Sequence, residues 1–122
     1  MGGGRGATSN RYRAVGKRPG LEADGQVHLQ GIGKVDAVKA SKLKIGDHLL
    51  YNYGGTGTII NIRPKGKNTV ELAIESRGNL YYREKRLDTL VATDAVMGAD
   101  AYFAASNPIR KGDVQSIIPK KK

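Results

Sequence analysis

Apolar and polar residues alternate with a period of two through the middle of this chain. Along residues 69–77 (TVELAIESR), Val70, Leu72 and Ile74 fall on one side, and Thr69, Glu71, Ala73 and Glu75 on the other. A pleated backbone sends successive side chains to opposite faces, so this pattern predicts a half-buried strand. Residues 56–63 (TGTIINIR) read alike, with Thr58, Ile60 and Ile62 on one face. Residues 47–53 (DHLLYNY) and 89–93 make two more strands. Residues 79–86 (NLYYREKR) make another, with Leu80 and Tyr82 on one face and Tyr81, Arg83 and Lys85 on the outer face. Gly54-Gly55, the loop 64–68, Gly78-Asn79 and Leu87-Asp88 separate these runs with turn residues. A helical reading fails because Val, Ile, Thr and Tyr recur at period two and not at 3.6.

The economical fold for five closely spaced strands is mainly β: a small five-stranded SH3-like barrel, here over residues 34–93. Residues 34–39 add a short strand and 40–44 a turn. Weak alternation at 26–30, with Val27 and Leu29, suggests a little further pairing. Residues 1–33 otherwise read as a flexible basic arm, since few of them can be buried to offset the cost of ordering. Residues 94–122 read as a short helix plus a basic tail. Val96, Met97, Tyr102 and Phe103 stand among alanines, the helix ends at Asn107-Pro108, and it covers an open end of the barrel.

The chain has 122 residues, enough for one domain. Lys and Arg number 21 against 11 Asp and Glu, a formal charge of +10. Anionic partners are therefore attracted, less so as salt rises. The chain contains no cysteine, which excludes disulfides, thiolate metal sites and a cysteine nucleophile. The first residues, MGGGRGATSNRYR, hold no apolar core like that of a secretory signal, and no run reaches the roughly 18 apolar residues of a membrane span. The expectation is a protein of the cytoplasm or of a virion, without membrane insertion.

The stretch Leu43-Lys44-Ile45-Gly46-Asp47-His48-Leu49-Leu50-Tyr51, followed by Gly55-Thr56-Gly57-Thr58-Ile59-Ile60-Asn61-Ile62, resembles the KOW-type, SH3-like barrels of ribosomal proteins and transcription elongation factors. In that family a Gly-Asp turn opens the first strand, and a glycine precedes a strand ending in G-x-V-x-x-I. The resemblance implies a small barrel that binds RNA or protein. The same stretch is similar to the L-x-x-GD segment of intein Hint modules. Self-splicing is rejected, because it needs a Cys or Ser nucleophile at a junction and a paired His. The glycine-rich opening is similar in composition to the starts of small phage and mobile-element proteins.

No catalytic, metal or cofactor site is expected. His28 and His48 each stand without a second His, Cys or carboxylate at ligand spacing on one element. Glu71 and Glu75 lie about 13 Å apart by strand rise, too far to act as a pair. Binding is the better case. Tyr81, Arg83 and Lys85 alternate along one strand, Arg63, Lys65 and Lys67 surround a loop, and Tyr51 and Tyr53 share a face. Arg11, Arg13, Lys17 and Arg18 supply a basic arm and Lys120–Lys122 a basic tail. Tyrosine rings stack on unpaired bases while Arg and Lys neutralise phosphates. The expected function is thus non-enzymatic association with DNA or RNA through backbone phosphates and tyrosine stacking. The alternative is a structural or regulatory module, a virion component or small inhibitor, that docks on an acidic protein. The sequence leaves an oligomer open.

Overall fold

The computed structural model describes residues 16–107. They form two antiparallel sheets and a short helical segment. The strands are β1 (Gly25–Leu29), β2 (Gly33–Lys39), β3 (His48–Leu50), β4 (Thr56–Pro64), β5 (Thr69–Ser76), β6 (Asn79–Arg86) and β7 (Leu90–Ala92). One sheet has the order β1-β2-β7 and the other β3-β4-β5-β6. A bridge between Leu49 and Thr93 joins them. Each of the five expected strand regions carries a strand, β2 falls on the short strand expected at 34–39, and β1 on the weak alternation at 26–30. The mainly β class expected is found; neither sheet closes among the described residues, so the finer expectation of a five-stranded SH3-like barrel is not established by the topology.

Two of the expected strands, 56–63 and 47–53, depart from the expected pattern for local reasons. In β4 the register against β5 slips between Ile59 and Asn61, a β-bulge. Ile59 pairs with Ile74 and is fully buried; Ile62 pairs with Leu72; Ile60, expected on one face with Thr58 and Ile62, is the extra residue and is exposed. A bulge inserts one residue on one strand and so resets the alternation beyond it. The other expected strand, 47–53, is cut to His48–Leu50. The chain turns at Asn52–Gly54, where Tyr53 has φ 61°. That turn holds the β1–β2 hairpin tip: Tyr53 N–H donates to the Gln30 carbonyl (2.7 Å), its hydroxyl donates to Gln30 Oε1 (3.0 Å), and Asn52 Oδ1 accepts from Gln30 N–H (2.9 Å). A Cβ at Gly31 would fall 2.7 Å from the Tyr53 ring, so this close approach requires glycine.

The core lies between the sheets. Val38, Ala40, Leu43, Leu49, Ile59, Leu72, Ile74 and Val96 form its main cluster. Leu50, Ala92 and Tyr102 form a second under the helices. Those helices are α1 (Asp94–Met97) and α2 (Ala99–Ser106), separated at Gly98 (φ 90°) where one continuous helix was expected. Thr93 caps α1, its hydroxyl accepting from Ala95 N–H. Among the described residues no helix is long and apolar enough to cross a membrane.

The arm expected over 1–33 is in part built into the fold. Of that stretch the structure describes residues 16–33. There β1 pairs with β2 from Gly25↔Ala37 to Leu29↔Gly33. Arg18 pairs with Asp47 and donates to the Lys42 carbonyl (2.6 Å), while its backbone N–H bonds the Ala95 carbonyl.

Candidate nucleic-acid interface

The β5–β6 hairpin decides which side chains share a face. Its turn is Arg77-Gly78, both with positive φ (55° and 80°), the mirror-image turn that suits the twist of a two-residue hairpin. Ser76 therefore faces Asn79, and the register continues as Ile74↔Tyr81, Leu72↔Arg83 and Val70↔Lys85. Residues directly opposite in an antiparallel pair point the same way. Tyr81, Arg83 and Lys85 thus lie on the side of Ile74 and Leu72. This is the inner face of the sheet, where it runs out beyond the core, and not the outer face expected. Leu80, Tyr82 and Glu84 take the outer face with Glu75, Ala73 and Glu71.

On the inner face Tyr51, Tyr81 and Arg83 line a cleft of about 350 Å³ whose floor is Ile74 and Ser76. Gly57 makes room for it. A Cβ at Gly57 would come 2.5 Å from Ile74 Cγ2 and 3.3 Å from the Tyr51 hydroxyl, so the Tyr51 ring lies directly over the glycine. Tyr51 and Tyr81 keep 38% and 40% of their surface exposed, enough to present rings to a ligand. The Arg83 guanidinium stands over the Tyr81 ring, 5.4 Å from its centroid, and donates to the Tyr82 carbonyl at 3.1 Å. Burial pushes the Tyr51 phenol up, and the nearby Arg83 charge opposes this. Lys85 lines an adjoining hollow with Tyr51, Leu90 and Val27. Among the described residues neither Arg83 nor Lys85 has an acidic partner.

The loop cations belong to the other face. Arg63 pairs with Glu71 at 2.8 Å, its Nε also donating to the same oxygen at 3.0 Å. Lys65 lies 3.5 Å from both Glu71 and Glu84. The Arg63 hydrogen bond holds the Glu71 carboxyl below the ordinary carboxylate range. Lys67 is exposed on the loop without an acidic partner among the described residues. The single patch expected from Arg63, Lys65, Lys67, Tyr81, Arg83 and Lys85 is therefore split between two sides of one sheet. Lys17 is exposed, whereas Arg18 is committed to Asp47. Arg11, Arg13 and Lys120–Lys122 lie outside the described residues. Tyr53, expected beside Tyr51, is spent on the hairpin tip.

His48 does have a carboxylate partner, brought from a distant element. Its Nδ1 lies 3.0 Å from Asp94 Oδ2, and its backbone N–H donates to Asp94 Oδ1 at 2.9 Å. Asp94, 2% exposed, also accepts from Gly16 N–H (3.0 Å) and the Thr93 hydroxyl (3.3 Å). A buried carboxylate so fully bonded works as a structural tie. The sequence signal for it is weak: Thr-Asp at 93–94 marks a helix start, and nothing local points to His48.

Compared with protein-family models, curated proteins and solved structures, the chain finds no match in any of the three.

Proposed function

We propose that this protein binds single-stranded nucleic acid, without catalysing a reaction, through the inner-face cleft of β4–β6. The observation that carries the reading is the placement of two half-open tyrosine rings, Tyr51 and Tyr81, beside two cations, Arg83 and Lys85, that have no acidic partner among the described residues. Ring faces take unpaired bases at about 1–3 kcal/mol each, and the cations take the phosphates that link them. Duplex would be the poorer ligand, because its bases are already stacked and no helix among the described residues is placed to read a groove. The KOW-type resemblance of residues 43–62 belongs to the same proposal: its Gly57 is the residue on which the Tyr51 ring rests.

Fluorescence anisotropy with a labelled oligothymidylate or oligouridylate tests it. Binding is expected at low salt, with a steep loss as salt rises. Tyr81→Ala should weaken it about tenfold or more, and Arg83→Ala should also lower the salt slope by roughly one unit. Arg63→Ala should do little, since that guanidinium already serves Glu71. No complex at low salt, or equal losses for Arg63→Ala and Arg83→Ala, sinks the proposal.

A further inference from the structure

Among the described residues strand β6 is an open edge. It ends the order β3-β4-β5-β6, runs eight residues, and carries three consecutive exposed apolar side chains, Leu80, Tyr81 and Tyr82. In the two-residue hairpin Ser76 and Asn79 exchange both backbone bonds, so Tyr81, Arg83 and Lys85 also bond β5. The N–H and C=O groups of Leu80, Tyr82 and Glu84 consequently point away from the sheet. The Tyr82 carbonyl receives only the guanidinium of its own neighbour, Arg83, among the described residues. Long exposed edges of this kind are ready to pair with another strand.

We infer that the occupant of this edge is a second copy of the chain, paired antiparallel through β6 about a twofold axis at Tyr82. Backbone parity requires the axis to pass through a residue, because outward groups must meet outward groups. An axis at Arg83 sets two guanidinium groups opposite each other. An axis at Glu84 opposes two carboxylates and also Arg83 with Lys85. Like charges directly opposite are destabilising. An axis at Tyr81 pairs only residues 79–83. The axis at Tyr82 gives the longest overlap without a like-charge pair. Tyr82 then faces the partner's Tyr82, Leu80 faces the partner's Glu84, Tyr81 faces the partner's Arg83, and Asn79 faces the partner's Lys85. Each Tyr82 carbonyl exchanges its local guanidinium for the partner's N–H, and Arg83 is freed to lie against the partner's Tyr81. Such a contact is isologous and closes at two subunits, so it consumes the edge without seeding a filament. The two inner-face clefts become neighbours on one continuous sheet.

Sedimentation velocity over a concentration series, without nucleic acid, tests this apart from the binding proposal. A monomer–dimer equilibrium is expected. Tyr82→Pro removes an N–H that bonds nothing within the sheet and should weaken the dimer about tenfold or more. Tyr82→Lys, which keeps the backbone, places like charges on the axis and should weaken it about fivefold or more. Because the chain lacks cysteine, single cysteines at positions 79–85 with a short bismaleimide locate the axis, and cross-linking should peak at 82. A monomer throughout, a dimer indifferent to both variants, or a peak at another position overturns the inference.

Discussion

The inner and outer faces of the β4–β6 sheet are built from alternate residues of the same strands, yet they treat charge oppositely. Outside, Arg63 and Lys65 are matched by Glu71 and Glu84, and the apolar residues Ile60, Ala73, Leu80 and Tyr82 lie beside this network. Inside, the face starts as core at Leu72 and Ile74 and continues past it as Tyr81, Arg83 and Lys85, which have no carboxylate partner among the described residues. A count of basic residues treats both faces alike. What separates them is whether a carboxylate stands within reach, because a cation already neutralised releases little on meeting a phosphate.

The largest expected contrast is in stability. Leu72→Ala, on the inner face and fully buried, should cost about 2–5 kcal/mol in urea unfolding. Tyr82→Ser, on the outer face and more than half exposed, should stay within about 0.5 kcal/mol when both are measured as dilute monomers. Similar losses at both positions would break the distinction. Next comes Gly57→Ala. Its new methyl must displace Ile74 or the Tyr51 ring, which should cost about 1–3 kcal/mol and weaken oligonucleotide binding together with stability. A fully stable variant would show that the ring does not rest on the glycine.

A smaller effect sharpens the electrostatic half. Glu71→Gln frees Arg63 and Lys65, so oligonucleotide affinity at low salt should rise a few-fold and the salt slope steepen by up to about one or two units. An unchanged slope would mean that pairing is not what silences the outer cations. The same variant has a pH signature. The Glu71 carboxyl is held low by the Arg63 hydrogen bond, with Lys65 adding to it, so the folded state binds its proton more weakly than the unfolded chain. Its stabilisation is present above the ordinary carboxylate range and is lost as pH falls through the lowered value. The melting temperatures of the native chain and of Glu71→Gln should therefore converge on acidification. Divergence would contradict the pairing.

Much of the fold is legible in the residues. Period-two runs with Gly-bearing turns mark β4, β5 and β6, and Ile74 and Leu72 are inward as the alternation requires. The site is less legible, although one clue was available. A two-residue turn at 77–78 puts Ser76 opposite Asn79, and hence Tyr81 on the side of Ile74. Reading β6 by its own alternation, without the register of its partner, turns it over. The β4 bulge left no comparable mark, since Ile59, Ile60 and Ile62 are equally apolar and only the pairing with β5 chooses among them. Nor could local pattern place Arg63 beside Glu71 or His48 beside Asp94, because both contacts are made by the folded topology.

The tie at Asp94 bears on the order in which the molecule assembles. Gly16 reaches Asp94 across 78 positions, and Arg18 hydrogen-bonds Ala95 over nearly the same span. Contacts so distant along the chain carry a large closure cost and reward it late. During synthesis the Arg18 side chain can meet Asp47 and Lys42 early, but the backbone bonds of Gly16 and Arg18 must wait until residues 94 and 95 have left the ribosome. Full docking of the segment before β1 is then a clasp fastened after the sheets are made, and its amide protons should be among the first to exchange when the clasp opens.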